Sequence, residues 1–131
     1  MIEETPSLDW VLWTKRPENF EKLLPKKWLR EPRHNVWLVV SEESQLYVER
    51  IEEMMCIPAV VHGVSCEPLL EPLTLPEHFL KSPRAWVIAG GESGRQKGVR
   101  PAKMEWFRSL RDQTVNAGAY FHFKQAGMYR D

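Results

Sequence analysis

Five apolar runs recur along this chain at nearly even spacing, and each breaks at once into polar or charged residues. They are Leu8–Thr14 (LDWVLWT), Asn35–Ser41 (NVWLVVS), Ala59–Ser65 (AVVHGVS), Ala85–Gly91 (AWVIAGG) and Ala119–Lys124 (AYFHFK). They begin near residues 8, 35, 59, 85 and 119, so the steps are 27, 24, 26 and 34 residues. A strand buried on both faces reads as a near-continuous apolar run, rich in branched and aromatic residues. Steps of this size suit βα units, whose right-handed crossovers set strands parallel and in sequential order. A closed (β/α)₈ barrel needs eight such units over roughly 200–250 residues, and five cannot close one. The reading is therefore an α/β fold: a parallel five-stranded βα half-barrel, partial and TIM-barrel-like, in a single domain over residues 1–131. An ordinary open α/β sheet with switched strand order is the alternative.

The segments between the runs carry helix signals. Pro17 fits a first helical turn, where its missing N–H costs nothing. That helix is expected to carry Phe20, Leu23 and Leu24 on one face and to stop before Pro25. Ser41 reads as the N-cap of a second helix reaching about Met55, with Glu42 and Glu43 favoured by the helix dipole. Pro68, Pro72 and Pro76 forbid a regular helix after the third run, leaving room for a short one over Pro76–Leu80. Pro101 opens the clearest helix, striped by Trp106, Phe107, Leu110 and Val115 and stopped by Asn116-Ala117-Gly118.

Charge and cysteine usage narrow the class. Lysine plus arginine (18) equals aspartate plus glutamate (18). Zero net charge argues against bulk electrostatic binding to nucleic acid, while a local basic patch stays open. Cys56 and Cys66 form neither a disulfide scaffold nor a metal motif. They read as reduced thiols of a cytoplasmic protein. No apolar run approaches the ~20 residues of a membrane span. The acidic start Met1-Ile2-Glu3-Glu4 does not read as a signal peptide.

In sheets of this class, ligands bind at the carboxyl ends of the strands. Those ends carry Thr14-Lys15-Arg16, Ser41-Glu42, Ser65-Cys66-Glu67, Glu92-Ser93 and Lys124-Gln125. The expected ligand-binding set is Lys15, Arg16, Ser41, Glu67, Gly91, Glu92, Ser93, Lys124 and Gln125. Its mix of carboxylates and cations suits a zwitterionic or phosphorylated small molecule. The loop Gly90-Gly91-Glu92-Ser93-Gly94 is able to offer backbone N–H groups to an anion, with Arg95, Lys97 and Arg100 just beyond. Neither a Walker pattern nor G-x-G-x-x-G is present. Glu67 and Glu92 are the candidate general bases.

Each of these features also has a plain reading. Strands stop at polar residues, glycines after a strand make a turn, and carboxylates anchor backbone amides. His62 and His122, inside apolar runs, read as core residues, and His34 and His78 as surface. No pair of histidines has metal-ligand spacing. Trp10, Trp37, Trp86 and Trp106 read as core packing. Trp28, in the basic segment from Lys26 to Arg33, reads as a solvated loop, with stacking on a base as the alternative. Cys66 reads as an inert thiol.

Taken as a set, the strand ends resemble an uncharacterised phage-type protein family named for gene products thirty-seven and sixty-eight. The matching segments are Trp13–Glu18, Asn35–Ser41, Ser65–Leu70, Gly90–Gly94, Arg100–Gln113 and Phe123–Gly127. The resemblance is to the carboxy-terminal half of proteins about twice as long. It implies an amino-terminal half with a cysteine cluster like that of radical S-adenosylmethionine enzymes, which hold an iron–sulfur cluster with three cysteines. This chain lacks that cluster, and Cys56 and Cys66 do not replace it. S-adenosylmethionine and an iron–sulfur cluster are thus implied only if a missing half supplies them, and no cofactor is expected in this chain. Gly90–Gly94 resembles the Gly-Gly-Glu motif of radical enzymes, but it follows the penultimate strand rather than an early one, so that role is not carried over.

Two functional readings follow. In the first, the chain is the carboxy-terminal half of a radical-enzyme-like barrel, keeps a binding rim for a small anionic or zwitterionic ligand, and is inactive alone. In the second, it is a self-sufficient hydrolytic or binding module using Glu67 and Glu92, with Lys15 and Lys124 holding an anion. A degenerate remnant that folds without activity is the blandest possibility. Either way the half-barrel has two open sheet edges, which proteins normally cover. Association with a second copy, or with a complementary amino-terminal half, is expected there.

Overall fold

In the computed structural model, which describes residues 1–94 and 98–127, five strands form one all-parallel sheet in the order β1-β2-β3-β4-β5. They are β1 (Trp10–Thr14), β2 (Val36–Ser41), β3 (Val61–Cys66), β4 (Trp86–Gly90) and β5 (Tyr120–Gln125). Four helices lie between them: α1 (Phe20–Leu23), α2 (Glu49–Met55), α3 (Glu77–Leu80) and α4 (Met104–Asn116). Short 3₁₀ turns at Pro17–Asn19 and Gln45–Tyr47 lead into α1 and α2. The strand order is sequential, so the switched-order alternative falls. The sheet does not close, which leaves β1 and β5 as its edges.

Residues paired across parallel strands point to the same face, because the side-chain period is two. Leu12 pairs with Leu38, Val40 with Val64, Val64 with Val87 and Cys66 with Ala89. These strand residues join Phe20, Ile51, Met54, Phe79, Leu80, Phe107 and Leu110 in one hydrophobic cluster. All four helices therefore cover the same face. Each fully buried Leu or Phe contributes about 1.5–3 kcal/mol. The opposite face carries Val11, Trp13, Trp37, Val39, Gly63, Trp86, Ile88 and Tyr120. Val39 and Ile88 are buried there without belonging to the helix-side cluster. Trp37 and Trp86 meet edge to face with ring centroids 5.6 Å apart, forming part of the lid over that row.

Several local expectations need correction. Ser41 does not cap a helix: it ends β2, buried, with its hydroxyl accepting from Trp13 Nε1 at 3.0 Å. The cap is Ser44, whose hydroxyl accepts from the Leu46 N–H. Pairing of the Glu42 N–H with the Ser65 carbonyl keeps the chain extended past Ser41, which delays the helix. Leu23 and Val115 are exposed, and Leu24 and Thr114 take the inward positions. A four-residue helix is too short to present two turns to the core. Gly118, at φ +83°, ends α4 as a left-handed residue past the C-cap.

The aromatics and histidines are also redistributed. Trp28 is buried in the helix-side cluster, not solvated, with the Arg33 guanidinium 5.8 Å from its ring centre. Trp37 and Trp86 lie on the helix-free face, outside the main core. His122 is exposed, because β5 is an edge strand with its helix-free side uncovered. His62 is half-buried and satisfied by the Ile57 carbonyl at 2.7 Å, as a core residue should be. Burial holds its pKa below the usual histidine value, so it is neutral near pH 7. Among the described residues, no helix is long and apolar enough to cross a membrane.

Candidate functional site at the carboxyl rim

A parallel sheet sends all its strand ends to one rim, so Lys15, Ser41, Glu67, Glu92 and Lys124 emerge on the same side. The rim divides into clusters. Lys15 Nζ sits 2.7 Å from Glu43 Oε1, and Arg50 donates to Glu43 Oε2 at 3.2 Å and to the Ser41 carbonyl at 3.0 Å. The Arg50 guanidinium lies 4.0 Å from the Tyr47 ring centre. Burial alone would raise the Glu43 pKa, but Lys15, its own backbone N–H and Arg50 hold it below the usual carboxylate range. Next to this cluster, Glu71 accepts from the Ser44 hydroxyl at 2.5 Å and the Gln45 N–H at 2.8 Å, tying the third connection to the second.

The glycine-rich loop is organised by one residue. The Glu92 carboxylate takes the Arg100 N–H at 2.7 Å, Nε at 3.0 Å and Nη2 at 2.6 Å. These contacts hold its pKa down at about 2, so it is a carboxylate throughout the physiological range. Arg100→Ala is expected to raise the Glu92 pKa part of the way toward the ordinary glutamate value, since the backbone N–H at position 100 still donates to it, read by carboxyl carbon chemical shifts. An unchanged titration would show that the guanidinium is not what depresses it.

A further cluster joins β3 to β5. Lys124 Nζ lies 3.0 Å from Glu67 Oε2, and Gln125 Nε2 lies 3.5 Å from Oε1. A Cβ on Gly90 would fall 2.9 Å from the Glu67 carboxyl carbon, so that glycine gives the side chain its berth. Gly91 donates to the Gln125 carbonyl at 2.9 Å. It sits where a Cβ would strike the Ala126 carbonyl at 2.2 Å.

The structure thus brings Lys15 and Glu92 to one cleft of about 420 Å³, lined also by Glu43, Ser44, Tyr47, Pro68, Leu70 and Arg100. Glu67, Lys124 and Gln125 gather in the neighbouring cluster. Arg16 departs: it lines a separate groove with Val11, Phe20 and Trp28. Ser41 is committed to Trp13, and Ser93 is exposed at the loop tip. Arg95 and Lys97 lie outside the described residues. Both candidate bases, Glu67 and Glu92, already hold cationic partners.

One further residue matters, and its sequence context reads only as a strand end and an acidic first helical turn. Glu42 is 1 % exposed, and neither carboxylate oxygen has a hydrogen-bond partner among the described residues. Burial pushes its pKa up to about 7, with Glu43 and Glu71 adding to the rise and Arg50 opposing it. Glu42 in turn adds to the rise that burial imposes on the Cys66 thiol, which is unreactive as a result. The signal in the sequence was an acid directly after an apolar run, but that pattern also describes a solvated helix start.

The cysteines do not fit an iron–sulfur cluster. Cys66 is buried at the end of β3, whereas Cys56 is exposed at the end of α2. Among the described residues, no three His, Cys, Asp or Glu side chains are placed to hold a metal ion.

Fold and rim together define an α/β protein with a singly covered parallel sheet and a charged cleft over its strand ends. The chain belongs to the family described as "Protein of unknown function (DUF5131)", which it matches over residues 1–131. No curated protein and no solved structure matches it.

Proposed function

We propose that this chain binds a small molecule bearing a phosphate or carboxylate group in the cleft between the β1 and β4 strand ends. One observation carries the reading: Lys15 and Arg100 line the same cleft, each anchored by a more deeply placed carboxylate. Lys15 is 57 % exposed over Glu43 at 14 %, and Arg100 is 61 % exposed over Glu92 at 23 %. An ammonium has three N–H donors and a guanidinium five. Glu43 occupies one of Lys15's, and Glu92 occupies the Nε and one Nη2 donor of Arg100. The remainder are available to an anion, and the anchoring carboxylates reduce the entropy lost on binding. The carboxylates leave the cleft close to neutral, which favours a zwitterion over a polyanion.

The phage-family resemblance supports a finer version: the five units are the carboxy-terminal strands of a larger radical-enzyme-like barrel, and this part binds without turnover. The sequential, all-parallel order suits it, and the separated cysteines explain why no cluster chemistry is assigned here.

Inorganic phosphate at low ionic strength is the simplest probe, followed by amide chemical shifts. Saturable binding with a millimolar dissociation constant, about 4 kcal/mol, is expected. Lys15→Ala and Arg100→Ala should each weaken it about tenfold, while Lys81→Ala, at the exposed C-cap of α3, should not. Non-saturable shifts, or equal effects of all three variants, would remove the cleft as a binding site.

A further inference from the structure

The cleft over the strand ends is not charged throughout. Tyr47, Pro68 and Leu70 share its lining with Lys15, Glu43, Glu92 and Arg100. Tyr47 is 41 % exposed, while Pro68 and Leu70 are half-buried. The Arg50 guanidinium sits 4.0 Å from the Tyr47 ring centre but lies outside the cleft lining. The ring therefore stands between them, with the guanidinium on one side and the open cleft on the other. Arg50 is itself tied down, donating to the Ser41 carbonyl at 3.0 Å and to Glu43 Oε2 at 3.2 Å. A ring backed by a fixed cation has given up much of its freedom before a ligand arrives, which favours stacking on its open side.

The charged residues of the cleft come in equal numbers of each sign. Lys15 and Arg100 are cations, and Glu43 and Glu92 are carboxylates at neutral pH. An ionised carboxyl has about four lone-pair sites. Glu43 gives Oε1 to Lys15 and Oε2 to Arg50, so each oxygen keeps one site. Glu92 accepts two bonds at Oε2 and one at Oε1, so Oε1 keeps one. The cleft thus retains acceptors for an ammonium as well as the Lys15 and Arg100 donors for an anion. A ligand with charge of one sign only would meet as many repelling groups as attracting ones.

Building on the anion-binding reading above, on which this rests, we infer that the ligand of the cleft is an aromatic α-amino acid. Its carboxylate goes to Lys15 and Arg100, its ammonium to Glu43 and Glu92, and its ring to the wall of Tyr47, Pro68 and Leu70. Three features select this class together. The charges of the cleft sum to zero, which suits a zwitterion. The apolar wall calls for a sizeable side chain on that zwitterion, and the Tyr47 ring favours an aromatic one over an aliphatic one. The volume of about 420 Å³ lies within the roughly 300–1,000 Å³ of small-molecule sites, ample for a two-ring side chain. A sugar phosphate would leave the apolar wall uncovered and set a second negative charge beside Glu43 and Glu92.

Calorimetric titration of the full chain with tryptophan and three partial analogues tests this. Tryptophan is expected to bind about tenfold more tightly than alanine, which lacks the ring. It should also exceed tryptamine, which lacks the carboxylate, and indolepropionate, which lacks the ammonium, by about tenfold each. Tyr47→Leu should cut the preference for tryptophan over alanine about tenfold. Tyr47→Phe keeps the ring and should keep most of the preference, and circular dichroism separates either effect from loss of fold. Amide shifts on adding tryptophan should centre on Lys15, Tyr47 and Arg100. Tryptophan binding no tighter than alanine, while phosphate still binds in a Lys15-dependent way, would overturn this inference and leave the anion reading standing. No saturable binding of either phosphate or tryptophan would remove both. Shifts centred instead on Val61 and Tyr120, which line a cavity on the helix-free face, would also overturn it. So would an equal loss of preference in both Tyr47 variants with their folds intact.

Discussion

Replacing Glu42 by Gln is expected to raise the melting temperature by about 10 °C at pH 8 while leaving it nearly unchanged at about pH 4. The wild-type carboxyl is buried, has no hydrogen-bond partner for either oxygen among the described residues, and has its pKa pushed up to about 7 by that burial. In the unfolded chain it titrates near 4.5. Between those values the folded state binds the extra proton, so stability falls as pH rises through the window. Below 4.5 the group is protonated in both states and costs nothing extra. Above 7 the folded protein holds a buried charge that Arg50 only partly offsets, a penalty on the order of 3 kcal/mol. Gln is the neutral counterpart and cannot ionise, so the variant should lack this part of the pH dependence. Thermal melts of both proteins from about pH 4 to about pH 8.5 decide the matter. An equal shift at every pH would mean that packing rather than ionisation separates the two.

Gly91→Ala should cost about 3 kcal/mol and lower the melting temperature by about 10 °C. Its cause is contact with main chain, which cannot rotate away. An added Cβ would lie 2.2 Å from the Ala126 oxygen, 2.5 Å from its carbon and 2.8 Å from the Gly127 nitrogen. The hydrogen bond from Gly91 to the Gln125 carbonyl fixes that approach, just beyond the irregular β4–β5 register at Ala89 and Gly90. Ser93→Ala, two residues on and exposed, should stay within about 0.5 kcal/mol. Denaturant titration of the three proteins separates a backbone clash from a general sensitivity of the loop. If Gly91→Ala matched Ser93→Ala, the close packing of the two strand ends would be wrong. Gly91 entered the sequence reading as a donor to an anion; its surroundings give it a second task, letting β4 and β5 meet at the rim.

The strand ends were legible in sequence because a parallel strand announces itself twice, by its apolar run and by the polar break that follows. That is why Lys15, Glu67, Glu92 and Lys124 were correctly sent to one rim. Which of them share a cleft was not legible. Lys15 and Glu92 line one together, while Glu67 turns to Lys124 and Gln125 across the Gly90 berth. Arg16 shows the limit of the pattern: one residue beyond Lys15, it leaves the rim for the groove beside Phe20 and Trp28. Arg100 stood outside the loop motif, and only the fold of that loop brings it back to Glu92.

By itself, the sequence determined the element order, the parallel direction and the rim. These depend on local periodicity, on proline and glycine placement, and on the right-handedness of crossovers, all properties of short stretches of chain. The tertiary structure alone decided which tryptophans are buried, which acid is left without partners, and which face of the sheet stays bare. Trp28 stands in a basic segment and Trp86 in an apolar run, yet it is Trp28 that enters the helix-side cluster, while Trp86 lies on the helix-free face. Burial and charge pairing are set by groups far apart in the chain, and their energies depend on the dielectric and the neighbours that folding creates.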